Sequence, residues 1–299
     1  MGRITTRHPV LRMTADAQQR RVDTLAVEEP LDVRMDGSPF VITMRTPGHD
    51  IDLVHGLLFA EGVIASAADV RIARYPIGPG GAPLYDVVDV RLAETATPAV
   101  VAARHVLTSS ACGICGAETL EQLQRPSRYR LGPTAPVAAD HLVRGPERLR
   151  EAQRAFAQTG GLHAAGLMDV NGSMLCVRED VGRHNAVDKV VGWALRQGQL
   201  PLTDVVLVVS GRASYELTQK AVLAGIGVLV AVSAPSSMAV DLAAAAGLTL
   251  IGFARGTTMN VYTHPERVAG SIVAADDAGA DNSRFRHHGT RHERAPVST

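Results

Sequence analysis

Three apolar runs in the second half of the chain, at residues 205–209, 228–232 and 248–253, constrain the fold more than any other feature. Each is near-continuous in Val, Leu, Ile or Ala, so neither face of such a strand is suited to water. Helical patterns over 214–224 and 237–246 separate the runs. Apolar strands alternating with helices make a parallel sheet covered on both faces. Upstream, residues 162–170 and 173–178 flank Asn171-Gly172 and read as a hairpin on a tight turn. An amphipathic helix follows over 182–197, and another precedes the hairpin over 146–158. The second half is therefore an α/β core with a mixed sheet.

The first half is less regular. Strand patterns at 26–34 and 40–45 flank Asp36-Gly37, and others lie at 70–75 and 85–92. Thr46-Pro47-Gly48 precedes a helical pattern carrying Leu53, Leu57, Leu58 and Ile64. The expected organisation is a disordered segment over 1–20, a small α+β unit over 21–105, a cysteine loop and linker over 106–136, the α/β core over 137–275, and a disordered tail over 276–299.

Charge and composition narrow the function classes. Lys plus Arg and Asp plus Glu each total 30, and aromatics are 4% of the chain. A neutral chain poor in stacking side chains argues against nucleic-acid binding. No apolar run approaches the roughly 18 residues that span a bilayer, so no membrane association is expected. The start lacks the apolar stretch of a secretory signal. Three cysteines make no disulfide scaffold, and a reducing cytoplasm is the expected setting.

Two of those cysteines form Cys112-Gly113-Ile114-Cys115, flanked by Ser109-Ser110 and Gly116. Such a pair can share a metal, cycle as a disulfide, or present one activated sulfur beside a second. Zinc takes about four ligands, and no second CxxC supplies them. A thioredoxin-type pair follows an apolar strand and opens a helix, whereas the residues before Cys112 are polar, with a helix expected over 117–124. A Ser/Gly-rich loop suits a thiolate that attacks a donor and relays a group. Cys176, between Leu175 and Val177, reads as a buried and inert thiol.

In an open parallel sheet, ligands bind at the carboxyl ends of the strands. Those ends are Ser210-Gly211-Arg212-Ala213-Ser214, Ser233-Ala234-Pro235-Ser236-Ser237 and Phe253-Ala254-Arg255-Gly256-Thr257-Thr258. Hydroxyls, arginines and free N–H groups at helix starts form anion sites. Each loop alone is also consistent with simple helix capping; three at one edge point to a phosphate-bearing ligand such as a nucleotide. Glu179-Asp180-Val181-Gly182-Arg183-His184-Asn185 opens the helix after the hairpin. His184 and Asp188 lie one turn apart there, so the carboxylate can fix the imidazole tautomer. A salt-bridged helix start is the alternative. His163 can line the same cleft.

At these residues the chain resembles the FdhD/NarQ accessory proteins of formate dehydrogenase maturation. The similarity runs from about Glu28 to His264. It rests on Glu28-Glu-Pro-Leu31, Met44-Arg-Thr-Pro-Gly-His-Asp50, Ser110-Ala-Cys-Gly-Ile-Cys-Gly116, Thr159-Gly-Gly-Leu-His-Ala164, the 179–189 segment, and the serine-rich loops at 210–214 and 233–237. The resemblance implies a sulfurtransferase that takes persulfide sulfur from a cysteine desulfurase. It would deliver that sulfur to the Mo or W bis(molybdopterin guanine dinucleotide) cofactor, held as cargo, for the formate dehydrogenase catalytic subunit. It assigns the persulfide to Cys112, with Cys115 assisting, and cofactor binding to Phe253, Ala254, Arg255, Gly256, Thr257 and Thr258. Ser210, Arg212, Ser233, Ser236, Arg183 and His184 are the added candidates from the other loops.

The resemblance further implies a homodimer and a cytidine-deaminase-like three-layer core. Zinc deaminases place ligands at the start of the helix after the hairpin and of the next one. Neither pattern occurs at 182–184 or 210–214, so a nucleotide held without zinc is expected. Two other readings stand beside this one: a molybdenum-cofactor-binding chaperone with no covalent sulfur chemistry, and a deaminase relative with a redox CxxC.

Overall fold

The computed structural model describes residues 3–94, 107–108, 127–131 and 135–272. Among them the chain forms a six-stranded mixed sheet, a five-stranded sheet, two two-stranded pairings and six α-helices.

The expectation of disorder over 1–20 is corrected. β1 (Thr5–Met13) pairs antiparallel with β2 (Gln18–Ala26) in a ribbon closed by Thr14 and Ala17. Nearly every side chain of β1 and the first half of β2 is exposed, so no buried face imposes the apolar alternation by which a strand is read. The Asp36-Gly37 hairpin forms as expected. It joins β3 (Glu29–Met35) to β4 (Ser38–Arg45), with positive φ of 49° and 78° at the turn. β5 (Val70–Arg74), β6 (Val87–Leu92) and β7 (Leu107–Thr108) complete that sheet in the order β5-β6-β3-β4-β7. Between β4 and β5, α1 (Asp50–Ala60) starts after Pro47-Gly48, with Asp50 and Asp52 in its first turn, where carboxylates favour the helix dipole.

The core sheet has the order β10-β9-β11-β12-β13-β14. β9 (His163–Asp169) and β10 (Met174–Asp180) are the expected hairpin; β11 (Val205–Val209) runs antiparallel to β9. β12 (Val228–Ala231) and β13 (Thr249–Arg255) then follow parallel to β11. The apolar runs are buried on both faces. Leu207, Val209, Leu229 and Leu250 join one cluster, and Val206, Val208, Val228, Val230 and Ile251 the other.

One face is covered by α4 (Arg183–Arg196), α5 (Tyr215–Leu223) and α6 (Ser237–Ala246), the last capped by Ser236 and ended by Gly247 at φ 77°. The other is covered by α2 (Ala139–Ala152), which follows the short β8 (Val137–Ala138), and by the short α3 (Arg154–Thr159). The helix expected over 146–158 therefore starts seven residues earlier and is broken at Gln153. Pro146, the first residue of the expected helix, sits inside α2. Burial of Leu142 and Leu149 compensates for the N–H a proline removes.

A second correction concerns the third strand end. Residues 253–258 do not lead into a helix. β13 continues to Arg255 and turns through Gly256 into β14 (Thr258–Val261), antiparallel to it. No helix N-terminus is available there to hold an anion.

The N-terminal unit is not packed as a separate body. Leu31, Val33, Val88 and Val90 of its sheet share one buried cluster with Leu207 and Leu250 of the core. α1 lies across α4 at van der Waals limit. A Cβ on Gly56 would stand 1.9 Å from the Asp188 carbonyl oxygen, and one on Gly192 would stand 1.9 Å from that of Asp52. Gly56→Ala or Gly192→Ala must therefore push the helices apart, at an expected cost of at least ~2 kcal/mol in urea denaturation. Gly80→Ala, with no neighbour within 4 Å, is the control and stays within about 0.5 kcal/mol of wild type.

Candidate functional site

Between α2, α3 and the carboxyl ends of β11, β12 and β13 lies a cleft of about 710 Å³. Ser210, Val232 and Ala254 to Gly256 supply the strand-end wall, and His163 stands where β9 begins. Val143, Glu147 and Arg150 recur along one side of α2 and form the opposite wall, with Gln153 and Phe156 beyond them. The Arg150 guanidinium carbon sits 4.2 Å over the Phe156 ring, and this cation–π contact orients it.

His163 Nδ1 lies 3.4 Å from Ser210 Oγ, which also accepts the Ala164 N–H at 2.9 Å. The serine hydroxyl can donate to Nδ1 or accept from it, according to the imidazole tautomer. Burial, with Arg183 and His184 adding, lowers the His163 pKa from 6.5. The ring is therefore a neutral donor at physiological pH.

The three serine- and glycine-rich loops do converge on one edge. Ala213 bridges Pro235, and the Ser233 carbonyl accepts the Phe253 N–H at 3.3 Å. Of the candidates, Ser210, Ala254, Arg255 and Gly256 line the cleft. Phe253 adopts φ 52° beside it with its ring exposed. Thr257, Thr258 and Arg212 are exposed, and Thr258 Oγ1 donates to the Arg255 carbonyl at 3.4 Å. Ser236 accepts the Ala239 N–H at 3.3 Å, so its hydroxyl serves as the cap of α6. Arg150 and Gln153 were not read from the sequence. They fall in an otherwise polar helix end, and only the spacing of Val143, Glu147 and Arg150 hints at a common face.

The 179–189 segment divides into frame and flank. Asp180 and Lys189 are 0% and 1% exposed and pair at 2.7 Å. Lys189 Nζ also donates to the carbonyls of Thr46 and Glu179 at 2.9 and 3.2 Å. Asp180 accepts from the Thr46 and Gly182 backbones and from Asn185, whose amide also reaches the Met44 carbonyl at 2.7 Å. Glu179 caps α3, accepting from Ala155 and Phe156 at 2.9 and 2.7 Å. These polar residues thus weld the segment after β4 to the core.

His184 is buried, but Asp188 is not its main partner. Asp188 is held by Lys220 at 2.5 Å, although desolvation still raises its pKa. His184 Nε2 instead stands 3.8 Å from Glu216 Oε2. The His184 ring, with Ser214 adding, holds the Glu216 carboxyl down to about 2 against the opposing effect of burial. Arg183 lies beside the Ser210 turn, its Cδ 3.9 Å from where a Gly211 Cβ would be.

Cys112 and Cys115, the expected helix over 117–124 and the tail over 276–299 lie outside the described residues. The chain on either side of the cysteine segment is anchored. β7 pairs parallel with β4, and Ser127 Oγ donates to the Val222 carbonyl at 2.9 Å. Cys176 is buried, and burial pushes its thiol up to about 11, in keeping with an inert role.

Comparison with known proteins follows the geometry. The model of the FdhD/NarQ family matches residues 26–269. The sulfur carrier protein FdhD of Nocardia farcinica is 56% identical over 272 residues, covering 89% of this chain and 96% of that protein. The protein of the same name from Mycobacterium tuberculosis is 52% identical over 275 residues, 90% of this chain and all (100%) of that one. A crystal structure of a putative formate dehydrogenase accessory protein from Desulfotalea psychrophila superposes with a TM-score of 0.70 at 22% identity, covering 89% of this chain and 100% of that one. That likeness establishes the shared fold.

Two outcomes are expected. Lys189→Met leaves Asp180 charged and unpaired in a dry site, and denaturation should show a loss of about 3–5 kcal/mol. Adding Asp180→Asn should restore part of it, as a coupled pair requires. For Glu216, whose pKa falls from 4.5 to about 2, the stabilising contribution is complete above pH 4.5 and vanishes as pH falls toward 2. The stability difference between wild type and Glu216→Gln, followed by denaturation across that window, should shrink accordingly.

Proposed function

The chain belongs to the FdhD/NarQ family, and from that premise we propose that it is a sulfur carrier for formate dehydrogenase maturation. Cys112 thiolate attacks the outer sulfur of a persulfide on a cysteine desulfurase. The donor S–S bond breaks, the desulfurase cysteine leaves as thiolate, and Cys112 holds the persulfide. Cys115 thiolate then attacks Cys112 Sγ, so that a Cys112–Cys115 disulfide forms and the outer sulfur leaves at the sulfide level for the Mo or W bis(molybdopterin guanine dinucleotide) cofactor. That cofactor is cargo, destined for the formate dehydrogenase catalytic subunit. The protein acts as a cytoplasmic homodimer, and its α/β core is a deaminase-like scaffold used to hold a nucleotide.

The observation that supports this best is the cleft at the strand ends. Its volume of about 710 Å³ is in the range of small-molecule sites. Arg150 and Arg255 suit phosphates, and neutral His163 beside Ser210 donates without adding charge. The cleft thus fits the nucleotide end of such a cargo.

The test is sulfur loading. After incubation with a cysteine desulfurase and cysteine, intact mass should rise by one sulfur atom, reversibly under thiol reductant and mapped to Cys112. Cys112→Ala should stay unloaded. Loading of that variant to the wild-type level sinks the assignment.

A further inference from the structure

Gln153 is a polar residue in a place where packing alone asks for an apolar one. It is 3% exposed, lines the cleft, and its side-chain Nε2 has no hydrogen-bond partner among the described residues. Buried polar groups are almost always paired, because a donor withdrawn from water and left unmatched is costly. A methionine or leucine of similar volume would fill the position without that cost.

The residue is also held firmly. It is the hinge between α2 and α3, at φ −79° and ψ 80°. Its N–H donates to the Arg150 carbonyl at 3.2 Å, and its carbonyl accepts from Ala157 at 3.1 Å. Glu179 fixes the first turn of α3 immediately after it. A donor on so rigid a support serves recognition rather than adaptation.

We infer that Gln153 selects guanine over adenine in this cleft, its side-chain amide donating to the base carbonyl. The inference rests on the proposed reading of the cleft as a guanine-nucleotide site and adds the residue that sets its specificity. Guanine presents the O6 acceptor where adenine presents the N6 amino donor. An amide N–H pairs with the first. Against the second, two donors face each other and both stay unpaired, the kind of mismatch by which polar sites reject analogues. Arg150 and Arg255 line the same cleft and suit the phosphates.

The test is titration calorimetry of the full chain with GDP, IDP and ADP. IDP retains the carbonyl of guanine and lacks its 2-amino group. Wild type should bind GDP and IDP more tightly than ADP. Gln153→Leu should weaken GDP and IDP about tenfold each, equivalent to ~1.4 kcal/mol, and leave ADP unchanged. Gln153→Glu, an acceptor in place of a donor, should invert the preference toward ADP. Thermal melting of both variants checks the fold, and Gln153→Met replaces Gln153→Leu if the latter melts early. Equal weakening of all three nucleotides marks a packing role and overturns the inference. Unchanged GDP binding, or a wild type that binds GDP and ADP alike, overturns it while sparing the cleft reading. A wild type that binds none of the three removes the cleft reading and the inference together.

Discussion

The structure depends on two helices that meet backbone to backbone. Gly56 of α1 rests on the Asp188 carbonyl and Gly192 of α4 on that of Asp52, with no room for a methyl group at either point. That approach lets Asp52, on a helix of the N-terminal unit, reach Arg178 at 3.0 Å and Arg196 at 2.5 Å in the core. It also lays the segment after β4 against the start of α4, where Thr46 and Met44 complete the bonds of Lys189, Asp180 and Asn185. A pair as deeply buried as Asp180–Lys189 contributes little net stability, since desolvation offsets its attraction. Asp52, Asp180, Asn185 and Lys189 all find partners across that seam.

The same strand end governs the cleft on the other face of the sheet. At the end of β10, Asp180 turns toward Lys189, while the Glu179 carboxylate caps α3 on the cleft side. The Glu179 carbonyl meanwhile accepts from Lys189. Two adjacent residues thus connect the helix crossing to the wall that carries Gln153 and Phe156.

Much of the core was legible because both of its periodicities are strong. The runs 205–209 and 228–232 are apolar on both faces and became central parallel strands, while Asn171-Gly172 and Asp36-Gly37 became hairpin turns. The ribbon of β1 and β2 was not legible, since an element exposed on both faces has no apolar period. The turn at Gly256 was missed because an apolar run shows where a strand is buried but not whether a helix or another strand follows it. The 179–189 segment was legible as important, yet not as frame or site. Asp, Asn and Lys carry the same chemistry in a welded joint as in a binding pocket, and only burial beneath Thr46 separates the two. Gln153 was invisible for the converse reason, since its solvent exclusion arises from contacts distant in sequence.

The anchors of the cysteine segment bear on how sulfur and cargo meet. Ser127 is fastened to the end of α5, and the Leu131 carbonyl lies 3.6 Å from where a Cβ of Gly247, at the end of α6, would be. Both helix ends lead into the amino ends of parallel strands, whereas the cleft opens at the carboxyl ends. Residues 127–131, the described stretch after the cysteines, therefore pack at the edge of the sheet opposite the cleft.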